Sequence, residues 1–136
     1  IDRAARPIGY ARLKPQVATL AGLTMRSSGV LLGVFILFHV LHLTTGTVQP
    51  VPFLEEDVYG NVVRGFRVGW VAGLYLVGLA ALGLHVYHGY WASFRTLGLS
   101  RPSLTPRRRP FAILLALVLW LAFSSIPIAA LTGLLR

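Results

Sequence analysis

The chain has no cysteine. Disulfides, thiolate zinc sites and cysteine-ligated iron–sulfur clusters therefore cannot be built from it alone. Acidic residues are scarce too, with four Asp and Glu against thirteen Lys and Arg. Charged residues of both signs make up only 12% of the sequence, where an ordinary soluble domain carries roughly a quarter. A 55% hydrophobic content and a mean hydropathy of +0.69 point into a membrane instead. At 136 residues the chain has room for one domain. The N-terminal segment lacks the short apolar core and small-residue cleavage site of a signal peptide. Ile1 in place of Met points to a processed or truncated start.

The net charge of +9 would suggest nucleic acid in a soluble protein. Here the arginines cluster between apolar runs, where the positive-inside rule accounts for them, and no nucleic-acid partner is expected. Residues 1–20 form a basic lead-in with Pro7 and Pro15. Spans are expected at about 21–45, 64–94 and 111–135, each long enough for the roughly 20 apolar residues that cross a bilayer. Gly69, Gly73, Ala80 and Gly83 give the second span small faces for close helix approach. Pro127 is expected to kink the third, which membrane helices tolerate. The loop between the first two spans holds Glu55-Glu56-Asp57. Five cations (Arg3, Arg6, Arg12, Lys14, Arg26) precede or open the first span, and five more (Arg95, Arg101, Arg107, Arg108, Arg109) lie between the second and third. The N-terminus of this segment and the second loop are thus expected on the cytoplasmic side of an all-α, multi-pass membrane protein.

All four histidines fall in two pairs, His39 with His42 and His85 with His88. An ionisable side chain within a span is costly, so it marks a functional site by default. By helical rise, His39 is roughly 20 Å from Arg26, and His85 roughly 15 Å from Arg95. As Arg26 and Arg95 mark the same membrane face, the two histidines sit at different depths. Two cofactors at two levels fit that better than one shared between them. Neutral imidazole ligates haem iron well, and bis-histidine ligation leaves no position open for oxygen. His39 and His85 are therefore the candidate ligands. Gly89, one turn beyond His85, offers a flat patch for a porphyrin edge, and Gly29 a similar one before His39. Arg26 and Arg95 can pair with propionates. His42 and His88, one turn nearer an interface, suit snorkelling or propionate-side roles. Tyr90 and Trp91 are weaker candidates for quinone contact, because the second span meets the cytoplasmic face there.

Met25-Arg26-Ser-Ser-Gly29, His39 thirteen residues after Arg26, His85-Val-Tyr-His88-Gly89 and the Leu97-Gly98 ending together resemble a known family. It is the membrane cytochrome b anchor subunit of succinate dehydrogenase and fumarate reductase, and the likeness is greatest to single-chain anchors with five helices and two b haems. The resemblance covers Thr24–Thr44 and Gly83–Leu99. It implies three transmembrane helices forming part of a haem-binding bundle, with His39 on the distal haem and His85 on the proximal one. Arg26 matches an arginine near quinone or a propionate. Flavoprotein and iron–sulfur subunits on the cytoplasmic side are the implied partners, menaquinone or ubiquinone the implied substrate, and a bacterial inner membrane the implied location. The family's electrons run from succinate through those subunits to quinone, so the anchor is non-catalytic for succinate itself. Five-helix anchors have two earlier helices that carry the opposite ligands. Their counterparts are expected upstream or on a second anchor chain, and the haem count depends on them. Three other readings stay open: an anchor without haem, one with a Rieske-type cluster, and a transporter fragment whose histidines relay protons.

Overall fold

A computed structural model describes residues 20–99 and 105–136, and among them every regular element is helical. The lead-in before Leu20 and the stretch 100–104 of the second loop lie outside the described residues, as do the side chains of Trp91 and Arg95. The elements are α1 (Leu20–His39), α2 (Val58–Phe66), α3 (Gly69–Thr96) and α4 (Thr105–Leu131). A π-helical turn, Val40–Thr44, extends α1 and is closed by the Thr45 N–H on the Val40 carbonyl at 3.1 Å. Three stretches are long and apolar enough to cross a membrane: Thr24–Thr44, Gly69–Phe94 and Arg108–Leu131.

The second span starts at Gly69, not near 64 as the apolar run implies, and the reason is Arg64. Its guanidinium donates to Asp57 at 3.0 Å and to the Asn61 side chain at 2.7 Å. These partners keep it on the short helix α2, which folds back before the span begins. Asp57 caps α2 by accepting the Gly60 N–H at 2.8 Å, and that bond, then Arg64, holds its carboxyl below the usual Asp range. Buried Asn61 clasps the preceding loop, exchanging bonds with the Leu54 backbone, while Gln49 donates to the Asn61 carbonyl at 2.9 Å. The third helix stops at Leu131, short of 135, because Gly133 takes a φ of +78° and the Leu134 N–H turns back to the Ala129 carbonyl. Gly98 (φ +69°) ends α3 in the same way, with the Leu99 N–H on Phe94. These are glycine-closed C-termini. α4 stays helical through Pro127, which is buried.

α3 is the middle helix. It packs against α1 on one side and α4 on the other, and among the described residues the α1 and α4 backbones do not approach each other closely. Close approach is made by small residues. The Phe35 ring of α1 occupies the space a Cβ at Gly78 would need. Ala72, Ala81, Ala112, Ala116 and Ala130 are all buried. The aromatic core lies at the Asp57 end, where Tyr75 meets Phe66 edge-on at 4.6 Å and Phe35 edge-on at 5.2 Å.

Candidate functional site

The antiparallel α1–α3 pair sets each histidine against a different neighbour. Toward the Arg26 end, the Ser28 hydroxyl lies 3.2 Å from His85 Nδ1, and the Thr24 hydroxyl 3.4 Å from His88 Nδ1. Two hydroxyls four apart on α1 thus face two imidazoles three apart on α3. The His85 ring edge lies over Gly29, with Cε1 3.5 Å from where a Cβ would stand, an ordinary van der Waals contact. Toward the Asp57 end, His42 Nδ1 lies 3.1 Å from the Tyr75 hydroxyl. The His42 ring is fully buried and stacks on Phe38 at 5.5 Å. His39 is exposed, and its ring makes no hydrogen bond to a described residue. It borders a cavity of about 360 Å³ lined with Phe35, Tyr75, Leu79, Phe123 and Pro127. The walls come from α1, α2, α3 and α4, so His39 sits at the edge of a cleft whose floor is the buried Tyr75 and Leu79.

One expectation needs correction. His42 does not snorkel to an interface. On an ordinary α-helix, residues three apart differ by about 60° around the axis. The wider π turn after His39 increases that angle, leaving one imidazole exposed and the other in the aromatic core. Gly89 faces α1, where the Met25 methyl lies 3.7 Å from the place a Cβ would take. Arg26 is exposed at the first turns of the span. The Tyr90 ring packs on Phe94 at 5.0 Å and on Phe111 at 5.4 Å, within the α3–α4 contact. Ser28 and Tyr75 escaped the sequence reading as imidazole partners. The signal for Ser28 was the match of the Thr24 and Ser28 spacing to that of His85 and His88 on antiparallel helices.

No family model, curated protein or solved structure matches the chain.

The geometry itself narrows the chemistry. Among the described residues there is no group of three or more His, Asp or Glu that could cage a metal ion. A haem brings its own equatorial nitrogens and asks for only one imidazole on each side. His39 fits that demand, being unpaired, exposed and beside an apolar cavity. His85 fits it as well, with one nitrogen held by Ser28 and the other without a described hydrogen-bond partner. His42 does not fit. Its Nε2 is buried without a partner, and Gly65 abuts it so closely that a Cβ there would lie 2.9 Å away. Ser28 and His39 are eleven residues apart on α1, so the His85 and His39 levels differ by roughly 16 Å along the helix.

Proposed function

We propose that this chain is the membrane anchor and electron-transfer subunit of a succinate:quinone oxidoreductase, in which His39 and His85 each ligate one b haem. The observation that carries the reading is His39, an unpaired imidazole exposed at the edge of an apolar cleft. At that depth an exposed imidazole calls for a partner, and the one hydroxyl in the cavity lining, that of Tyr75, is engaged by His42. His85 at the other level makes the second half-site. Haem b would supply one-electron carriage at each level. The chain's own residues position the ligands, exclude water with apolar walls, and keep His42 and Tyr75 in the core. The opposite ligands come from further helices, either in a longer form of this chain or on a second anchor chain. Arg26, with Arg95 by sequence position, serves the propionates at the cytoplasmic end. There the flavoprotein and iron–sulfur subunits dock and menaquinone or ubiquinone is reduced. The setting is a bacterial inner membrane.

The proton-relay reading is less well supported. Between Gly29 and Phe38 on α1, and between Leu76 and Leu84 on α3, no residue carries a hydroxyl, carboxyl or imidazole. Two polar levels separated by apolar turns suit electron transfer over distance better than a proton chain. The test is to purify the affinity-tagged chain from its native membranes in mild detergent and add succinate. Co-purification of a flavin-bearing subunit, with a b-type α-band that succinate reduces, supports the proposal. An isolated chain with no haem spectrum refutes it.

A further inference from the structure

We infer that Ser28 is a positioning residue that fixes the tautomer of His85. The inference rests on the haem-ligand reading above. The Ser28 side chain is buried between α1 and α3 and has two neighbours, the Met25 carbonyl at 3.1 Å and His85 Nδ1 at 3.2 Å. A hydroxyl has one proton, and a carbonyl oxygen can only accept. With the Ser28 proton on the Met25 carbonyl, the hydroxyl oxygen is left to accept from the imidazole. His85 is then the Nδ1–H tautomer, with a bare lone pair on Nε2, the form a metal ligand requires. The opposite tautomer would set the Nδ1 lone pair against an oxygen whose proton is already committed. The Cε1 edge of the ring lies over Gly29, 3.5 Å from where a Cβ would stand. No such constraint applies to His42, whose neighbour Tyr75 has no other described hydrogen-bond partner and is free to donate.

An acceptor on the distal nitrogen makes an imidazole a stronger donor to its metal and favours the oxidised ion. Loss of the Ser28 oxygen should therefore raise the midpoint potential of the haem on His85 without removing that haem. The experiment is a potentiometric titration of the b-type bands, with low-temperature EPR, in native membranes carrying Ser28→Ala, Ser28→Thr, Ser28→Cys or His85→Ala. The expected pattern is an upward shift in Ser28→Ala, a smaller one in Ser28→Cys, where sulfur accepts weakly, and near-native values in Ser28→Thr. An unchanged potential in both Ser28→Ala and Ser28→Cys would overturn the role of Ser28. Retention of every b-type component in His85→Ala would instead overturn the haem reading on which it rests, so the two failures are distinct.

Discussion

The four histidines occupy three environments, and His39 stands apart as exposed, with no hydrogen bond to a described residue. His85 and His88 each have one ring nitrogen near an α1 hydroxyl, while His42 is enclosed by Tyr75, Phe38 and Gly65. Tyr75→Phe removes the one hydrogen-bond partner of a fully buried imidazole. The expected cost is roughly 1–3 kcal/mol, the range for a buried polar group left unsatisfied. Thermal denaturation of the purified complex should show a lower midpoint, with haem content per complex unchanged because His42 is not a ligand. The histidine pairs were plain in the sequence, and so was their placement within the spans. Which member of the first pair turns inward was not. That depends on a five-residue π turn, which no residue type in Val40–Thr44 announces.

At the scale of elements, α1 docks on α3 through the fit of Phe35 to Gly78. A leucine at position 78 would place its Cβ in the Phe35 ring and force the helices apart. Gly78→Leu should therefore reduce the amount of intact complex extracted from membranes and speed amide exchange along α1 and α3. The loop before α2 responds to acid. The folded pKa of Asp57 lies below its unfolded value, so its contribution is present above about pH 4 and fades as pH falls through the lowered value. Amides of residues 57–64 should lose protection, measured against their intrinsic exchange rate at each pH, on acidification through that window in the native chain, and Asp57→Asn should remove the loss. The three spans could be read from hydropathy and length alone, with ends within a few residues. α2 could not, since nine residues abutting a longer apolar run merge with it until the partners of Arg64 are known. The C-terminal stops depend on Gly98 and Gly133, whose turns lie beyond hydropathy.

For the whole molecule, α3 as the middle helix leaves Trp70, Leu74, Val77 and Leu84 exposed along one face, while His39 is exposed at the edge of the cavity that α1 and α4 share with it. Orientation can be tested directly because the chain has no cysteine of its own. In intact cells, a membrane-impermeant thiol reagent should label Glu56→Cys in this chain and leave Ser100→Cys unlabelled until the inner face is exposed. The reverse pattern would invert the topology. The haem reading has its most direct test in a redox titration of the b-type α-band in native membranes, comparing wild type with His39→Ala and His85→Ala. With two half-sites roughly 16 Å apart along the bundle, wild type should resolve two components, and each substitution should abolish a different one. If both variants keep the full wild-type signal, or both lose the same single component, the two-level haem account is wrong.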